Sequence, residues 1–273
     1  MPTVTPGWHA SLALRFADTS GVTRLVARTH RGPLRVQKAL YPEGPAVCHA
    51  IVLHPPGGVA GGDVLEIDVA AGPAAHVVLS TPGAAKWYRA NGKPARQTVR
   101  LTVDAGASIE WLPQESIFFD GADASSTLRV DLGAGARFIG CDIVCLGRRA
   151  AGECFASGAI GQRTDIWQGE QLIWCEQGRL AAAGGAMHSL AGMQGKVVCA
   201  TMLAAGAALT PAALAAVRAA LPQLAFSQRK AVLVARWLGQ DSETARRLML
   251  AAWTLLRPEL LGRSAPPLRI WHT

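Results

Sequence analysis

The segment Val69-Ala70-Ala71-Gly72-Pro73-Ala74-Ala75-His76-Val77-Val78-Leu79-Ser80 has the composition of a strand end, a glycine turn and a second strand. Its first four residues are an apolar residue, two spacers and a glycine. The pattern recurs at spacings of about 34, 27 and 36 residues, at positions 103–106, 130–133 and 166–169. New apolar runs follow the four copies, at residues 76–80, 108–112, 137–144 and 171–176. Repeated strand–turn–strand units predict a mainly β fold of stacked β-sheet layers, sandwich-like or β-helix-like. The irregular period argues against a strict solenoid.

The amino-terminal segment alternates between apolar and polar side chains. Every second residue from position 8 to position 16 is apolar: Trp8, Ala10, Leu12, Leu14 and Phe16. A period of two is typical of a half-buried strand. Turn signals separate this segment from two further strand-like runs at residues 22–30 and 34–40. The three segments together predict an antiparallel meander.

Helix signals appear only in the last third of the chain. Thr210-Pro211 supplies a capping residue followed by proline, and apolar residues continue at helical spacing until Pro222. A second helix is predicted to begin near Asp241 and to end around Pro258 or Gly262. The chain is therefore expected to carry two α-helices near its carboxyl end.

The remaining carboxyl-terminal segments are predicted to be extended. Residues 232–237 have the pattern of a strand between the two helices, and residues 266–271 that of an extended tail. Because no Ser-, Gly- or Pro-rich linker divides the sequence, we expect a single domain over residues 1–273.

Composition limits the class of protein. Half of the residues are apolar and 17% are charged, which is typical of a folded chain. No basic cluster followed by an apolar core opens the sequence, and no apolar run reaches the length of a membrane span. We therefore predict neither a secretory signal nor a transmembrane helix. Six cysteines without a CxxC pair then indicate reduced thiols and a cytoplasmic location.

The excess of basic residues indicates which class of partner the protein binds. The formal net charge is +8, and arginine outnumbers lysine by about 22 to 5. The basic residues are scattered, with no run of four, and aromatic residues are not interleaved with them as in a nucleic-acid platform. An acidic protein is therefore the expected partner, in preference to nucleic acid or a membrane surface.

A glycine-rich stretch, residues 54–63, is the densest local signal. Its sequence is His54-Pro55-Pro56-Gly57-Gly58-Val59-Ala60-Gly61-Gly62-Asp63. It lacks the Lys-Ser/Thr ending of a phosphate loop, and no helix pattern follows it, as a dinucleotide fingerprint would need. The chain thus has no nucleotide site of its own, and a partner must supply any nucleotide hydrolysis. Two interpretations stay open, an anion-binding nest of backbone amides and a tightly packed loop.

Metal ligands do not occur in close pairs. The seven histidines form no HxH, HExxH or HxxxH motif, so a tightly bound structural metal is not expected. A transiently held ion has a different requirement, because weakly coordinating carboxylates in a wet channel release it quickly. The acidic candidates are Asp63, Glu66, Glu110, Glu115, Asp120, Asp142 and Glu176.

Asp142 and Glu176 stand out because each lies on an otherwise apolar strand. Alternation places Cys141, Ile143 and Cys145 on one face of their strand and Asp142 on the other. Carboxylates in such surroundings are rarely buried unless they are paired or hydrated. Two interpretations remain: an internal water-filled cavity, or a solvent-facing side of the sheet.

An enzymatic alternative rests on Glu110 and Glu115. Two carboxylates at this spacing could act as the acid and base of a β-rich hydrolase. Nothing else in the sequence requires such chemistry, and no GxSxG elbow or recognisable Ser–His–acid arrangement accompanies them.

Several motifs then occur in a characteristic order. They are residues 34–44 (LRVQKALYPEG), the loop at 54–63, residues 79–89 (LSTPGAAKWYR), residues 110–115 (EWLPQE) and residues 119–122 (FDGA), with CLGR at 145–148 and Gly152-Glu153 after them. This series closely resembles the UreD family of urease accessory proteins. The strong motifs cover residues 34–180, and the rest agrees in length and pattern.

The resemblance implies a non-enzymatic protein without catalytic residues. Members of this family are scaffolds of urease maturation that join a helical accessory partner, the F protein, and a GTPase, the G protein, on the urease apoprotein. The resemblance further implies that nickel passes through an internal passage, so that nickel is a transient cargo and no cofactor is tightly bound. On this basis Asp63, Asp142 and Glu176 are the candidate residues of the passage. The loop residues Pro55, Pro56, Gly57, Gly58, Gly61 and Gly62 are a structural motif, and no partner-binding surface is assigned.

Overall fold

Two β-sheets and two α-helices form the regular structure of residues 7–272, the part of the chain that this computed structural model describes. The strands are β1 (His9–Thr19), β2 (Val22–Arg31), β3 (Arg35–Leu40), β4 (Val47–Leu53), β5 (Val64–Ala71), β6 (His76–Ser80), β7 (Ala85–Trp87), β8 (Ala95–Val103), β9 (Ser108–Leu112), β10 (Ser116–Phe118), β11 (Asp123–Leu132), β12 (Arg137–Leu146), β13 (Ala159–Gln168), β14 (Gln171–Ala181), β15 (Val198–Ala205), β16 (Ala225–Arg229) and β17 (Val232–Gly239). The helices are α1 (Pro211–Ala220) and α2 (Ser242–Leu261), and short 3₁₀ helices lie at Arg149–Ala151, Gly185–Met187 and Arg269–His272. The predicted mainly β class with two carboxyl-terminal helices is confirmed.

The chain winds between two facing sheets. One sheet has 7 strands in the order β14-β13-β11-β8-β5-β1-β2. The other has 10 strands, with the order β16-β17-β15-β12-β9-β6-β4-β3 and with β7 and β10 beside this path. Strands β5, β8, β11 and β13 run parallel in the first sheet, and β4, β6, β9 and β12 run parallel in the second. Each circuit of the chain therefore adds a strand to both sheets, as in a β-helix.

Glycine turns connect the two sheets in three successive circuits, at residues 72–75, 104–107 and 133–136. The turns are stacked and hydrogen-bonded to one another. The Asp104 amide donates to the Ala71 carbonyl at 3.0 Å, and the Gly133 amide donates to the Val103 carbonyl at 2.7 Å. The fourth copy of the repeat differs, because Gly169 turns the chain back into an antiparallel β13–β14 hairpin within one sheet.

The strand register shows that one copy of the sequence repeat is not aligned with the others in the structure. Val69, Leu101, Val130 and Ile166 form one lateral row across the seven-stranded sheet. Val103, which the sequence repeat aligned with Val69, lies one row further along, beside Ala71 and Leu132. Both rows point into the core, so the sequence pattern distinguishes the face of a residue but not its row.

The predicted amino-terminal meander is correct only for its first pair. Strands β1 and β2 are antiparallel neighbours, but β3 belongs to the ten-stranded sheet and pairs with β4. On its other side β1 pairs in parallel with β5. Alternation specifies which face of a strand is buried, whereas the pairing partner depends on where the chain returns, which short-range pattern does not contain.

Both helices begin where the capping residues predict. The Thr210 hydroxyl accepts the Ala213 amide at 3.1 Å, and the Asp241 carboxylate accepts the Thr244 amide at 2.8 Å. Helix α2 ends at Leu261 and is capped by Gly262, whose φ of +65° suits glycine. The prediction of an extended carboxyl-terminal tail is wrong. The tail ends in a 3₁₀ helix, because this conformation buries Leu268 and Trp271 against the ten-stranded sheet.

The core has two layers. The first lies between the sheets and contains side chains such as Leu12, Ile67 and Leu101. The second lies between the outer face of the ten-stranded sheet and helix α2, where Met249 and Trp253 are buried. The ten-stranded sheet is thus covered on both faces, and its inner face borders the space between the sheets.

Helix α2 is held on the sheet by a buried network of charges. The Glu110 carboxylate, 0% exposed, accepts hydrogen bonds from Arg257 Nε at 2.9 and 3.0 Å, from His76 at 2.7 Å and from the Trp253 indole at 2.5 Å. The Arg257 guanidinium also donates to Glu43 at 2.6 and 2.9 Å and to the Ser264 carbonyl. Each buried charge therefore has an opposite partner and further hydrogen bonds, which burial of charge requires.

Replacing Arg257 by Ala should destabilise the fold by roughly 3–5 kcal/mol, because Glu110 and Glu43 then stay buried without their cation. Urea unfolding followed by circular dichroism measures the change. Arg247→Ala is the matched control, since Arg247 is exposed on the same helix, and its effect should stay within about 0.5 kcal/mol. Equal effects of the two substitutions would contradict the assigned role of the network.

Stability should also fall in acid through Glu43. Burial by itself raises the pKa of this carboxyl, but hydrogen bonds from His49 and Arg257 outweigh burial and lower the pKa to about 2. A depressed folded-state pKa stabilises the protein fully above the ordinary value of 4.5, and this contribution is lost as the pH falls from 4.5 towards 2. In Glu43→Gln, the free energy of unfolding should depend less steeply on pH in this interval. An unchanged slope would show that Glu43 does not contribute.

Candidate functional site

A cavity of about 1020 Å³ lies between the two sheets. It extends across the strands, from His54 and the β6–β7 segment at one side to β14, β16 and β17 at the other. The sequence leaves this space open because several inward positions carry small or polar residues: Ser126, Gly140, Thr164, Gly178 and Thr201. At Gly140 a Cβ would lie 2.3 Å from the Phe138 ring, so the neighbouring aromatic ring excludes a larger side chain.

The walls of the cavity change character along its length. Towards the early circuits they are apolar, with Ile67, Val99 and Trp111 among the lining residues. Towards the β14–β17 side polar and charged residues are added to apolar ones such as Leu203 and Leu238. The polar and charged residues at this end include Asp142, Gln162, Glu176, Cys199, Thr201 and Arg236. Asp142 and Glu176 are the two carboxylates among the described residues that line the cavity.

Asp142 lies on β12 and faces the cavity. As alternation predicts, Cys141, Ile143 and Cys145 pack on the opposite face, beneath the helices. The Gln162 amide of the facing sheet donates to the Asp142 carboxylate at 2.6 Å. The side chain contacts open space although protein surrounds it, as expected for a carboxylate in an internal cavity. Burial, reinforced by the negative charge of Glu176, raises the pKa of Asp142 against the opposing hydrogen bond from Gln162.

Glu176 lies on β14 at the same end of the cavity. Its carboxylate accepts a hydrogen bond at 2.5 Å from the guanidinium of Arg236, which projects from β17 of the facing sheet. The side chains are 40% and 45% exposed, so this ion pair lies at a mouth of the cavity and not in its depth. The structure thus brings two of the three carboxylates predicted for the passage into one cavity.

Asp63 lies elsewhere. Its carboxylate accepts the Trp8 amide at 2.8 Å and the Ala60 amide at 2.9 Å, and these bonds tie the glycine-rich loop to the start of β1. Asp63 is buried and is not among the described residues that line the cavity. The hydrogen bonds explain an acidic residue at this position by the structure of the loop.

The loop at residues 54–63 is closely packed. Pro55 and Pro56 occupy the centre of a turn closed by the Gly57 amide, which donates to the His54 carbonyl at 3.0 Å. Gly57 and Gly62 have φ values of +76° and +91°. The Val59 amide donates to Lys86 and the Ala60 amide to Asp63, so these amides are not free to bind an anion. The geometry supports the packed-loop interpretation over the anion nest.

Two further glycines of the loop are needed for close approach. A Cβ on Gly58 would lie 2.4 Å from the Tyr88 ring, and a Cβ on Gly61 would lie 2.0 Å from the Ala90 carbonyl oxygen. Gly57 and Gly58 also line the apolar end of the cavity, together with His54. Burial lowers the pKa of His54, and the nearby Asp63 carboxylate opposes this effect.

The geometry does not favour the hydrolase alternative. Glu110 is fully buried, and its oxygens are taken by Arg257, His76 and Trp253, so it has no access to a substrate. Glu115 is also buried, and neither carboxylate is among the described residues that line the cavity. Within residues 7–272, no group of three or more His, Cys, Asp or Glu side chains is placed to hold a metal ion.

Comparison with known proteins bears on this arrangement. The family model described as "UreD urease accessory protein" matches residues 9–272. The chain belongs to the UreD family of urease accessory proteins. The resemblance inferred from the sequence motifs is thereby confirmed.

Relatives in this family match over nearly their whole length. Each of the following is named urease accessory protein UreD. The protein of Janthinobacterium sp. (strain Marseille) is 52% identical, over 97% of this chain and 92% of the relative. Those of Nitrosospira multiformis and Dechloromonas aromatica are 46% and 48% identical, over 97% and 100% of this chain and 98% and 97% of the relatives. In the described part of this UreD-family chain, no helix is long and apolar enough to cross a membrane.

The sequence patterns did not indicate that Gln162, Cys199 and Arg236 are neighbours of the two carboxylates. Arg236 could have been identified by the pattern that singled out Asp142, because it is a charged residue on the otherwise apolar strand β17. Cys199 and Thr201 alternate with Val198 and Ala200, which pack beneath helix α2. Local sequence patterns do not show that β14 and β17 lie on facing sheets, and this arrangement brings Arg236 to Glu176.

Replacing Gly61 by Ala should lower the melting temperature and the soluble yield, since the added methyl would overlap the Ala90 carbonyl. The reason is this close approach and not a positive φ, which Gly61 lacks. We expect a destabilisation of about 1–3 kcal/mol, measured by thermal unfolding. Gly83→Ala is the control, because a Cβ there meets nothing within 4 Å. A Gly61→Ala protein as stable as the control would contradict the packed-loop interpretation.

Proposed function

We propose that this chain is a scaffold of urease maturation that receives nickel and passes it to the urease apoprotein through the cavity between its sheets. In this proposal it is not an enzyme, and it acts in the cytoplasm with the helical F accessory protein and the G-type GTPase. The observation that carries the proposal is the presence of Asp142 and Glu176 in one cavity that extends across several strands. Membership of the family of urease accessory proteins supplies the biological setting.

The chemistry of the cavity suits an ion in transit. Asp142 and Glu176 offer oxygen ligands on opposite walls, and a nickel ion between them would keep most of its water ligands. Since no third acidic, imidazole or thiol ligand among the described residues completes a binding group, the ion would not be trapped. A cavity of this volume has room for a hydrated ion.

Other features support the proposed partners and location. The amides of Gly57, Val59, Ala60 and Asp63 in the glycine-rich loop already donate to acceptors of this chain, which agrees with a GTPase partner as the source of nucleotide hydrolysis. The six cysteines are free, which agrees with a reducing cytoplasm. The excess of arginine favours an acidic surface on a protein partner, and no role for nucleic acid or a membrane is proposed.

The first experiment co-expresses the urease subunits and the other accessory proteins with and without this chain. Nickel content and urea hydrolysis of the purified urease are the measurements. We expect nickel-poor, inactive urease when the chain is omitted. Fully active urease without the chain would overturn the proposed function.

The cavity is tested by Asp142→Asn and Glu176→Gln in the same system. Each should lower urease activation by roughly tenfold while association with the accessory partners is retained, because only the oxygen ligands are altered. Asp68→Asn is the matched control, since Asp68 lies on the outer face of the seven-stranded sheet, paired with Arg100. Loss of partner association would instead assign the two residues an interface or folding role.

A further inference from the structure

Arg236 holds a particular position at the polar end of the cavity. Among the ion pairs of residues 7–272, Arg236–Glu176 is the one that joins a cation to a carboxylate lining the cavity. It also bridges the two walls, since Arg236 projects from β17 of the ten-stranded sheet and Glu176 from β14 of the seven-stranded sheet. Asp142, by contrast, has a neutral partner, the Gln162 amide.

The register brings Arg236 close to Asp142 as well. Asp142, Thr201 and Arg236 lie side by side on three neighbouring strands, β12, β15 and β17, and all three line the cavity. Neighbouring strands lie about 4.8 Å apart, so Arg236 is two strand spacings from Asp142 at the backbone. The guanidinium contacts Glu176, and the backbone that carries it lies within about 10 Å of the backbone of Asp142.

We propose that Arg236 is a displaceable counter-ion that occupies Glu176 when the cavity is empty and leaves it when a divalent cation arrives. This inference rests on the proposed function of the cavity as a nickel passage. When the guanidinium returns to Glu176, it competes with the ion and promotes its release. Arg236 is thus a positioning residue that keeps the affinity for the cargo low.

Physical features of the pair favour exchange over a permanent link. Both side chains are nearly half exposed, and an ion pair at such a site is weak because water and salt screen it. Arginine keeps its charge at every physiological pH, so its competition with the cation does not depend on protonation. Removing this positive charge makes the formal net charge of the Asp142, Glu176 and Arg236 cluster more negative, from −1 to −2, which strengthens the attraction for a divalent ion.

The test measures nickel binding by the purified full-length chain in competition with a chromophoric chelator. Arg236→Gln should bind Ni²⁺ about tenfold more tightly than the wild-type chain, since a repelling charge next to the ion is removed. In the co-expression system the same variant should lower urease activation, because the ion leaves more slowly. Arg236→Lys, which keeps the charge, should stay close to wild type in both measurements.

Two further variants sharpen the test. Arg129→Gln is the matched control, because Arg129 is 46% exposed and pairs with Asp131 on β11, and neither residue is among those lining the cavity. Its nickel affinity should equal that of the wild type. In the double variant Arg236→Gln with Glu176→Gln, the gain in affinity should disappear, because the carboxylate that the arginine had occupied is gone.

The results of these experiments distinguish failure of the counter-ion proposal from failure of the proposed nickel passage. Unchanged nickel affinity in Arg236→Gln, with activation still dependent on Asp142 and Glu176, overturns the counter-ion and leaves the proposed function standing. Urease that matures without the chain overturns the proposed function whatever Arg236→Gln binds. If Arg236→Gln is insoluble, Arg236→Met, which retains the aliphatic stem, is the second neutral variant, and the same affinity change is expected.

Discussion

The stacked glycine turns at residues 72–75, 104–107 and 133–136 are the constraint on which the rest of the structure depends. Each turn is short, so β5, β8 and β11 of the seven-stranded sheet are each followed at once by a strand of the ten-stranded sheet. Hydrogen bonds between successive turns keep the circuits in register. The two sheets therefore face each other over several strands, and inward side chains decide what fills the space between them.

The same scaffold accommodates both a packed core and an open cavity. Where inward rows carry Leu12, Val69 or Leu101, the space between the sheets is filled. Where the inward positions carry Ser126, Thr164, Gly178 and Thr201, the side chains are too small to meet across the gap. Two side-chain hydrogen bonds, from Gln162 to Asp142 and from Arg236 to Glu176, then connect the two sheets without filling the space between them.

The second core layer compensates for the open space between the sheets. Helix α2 covers the outer face of the ten-stranded sheet and is fastened to it by the Glu110, Arg257 and Glu43 network. Burial of Met249, Trp253 and neighbouring side chains there offsets the weaker packing of the polar end of the cavity. The carboxylate that looked like a catalytic candidate in the sequence, Glu110, thus serves to attach the helix.

Local signals in the sequence determined the elements and their faces. Alternation placed Asp142 opposite Cys141 and Ile143, Thr210 and Asp241 marked the helix starts, and the glycine repeat indicated stacked layers. These properties depend on residues close together in the chain. The partner of β3, the row of Val103, the separation of Asp63 from the cavity, and the meeting of Glu176 with Arg236 were decided only by the tertiary structure. Each of them depends on which distant strands lie next to or opposite one another, and pairing over such separations is a property of the whole packed chain.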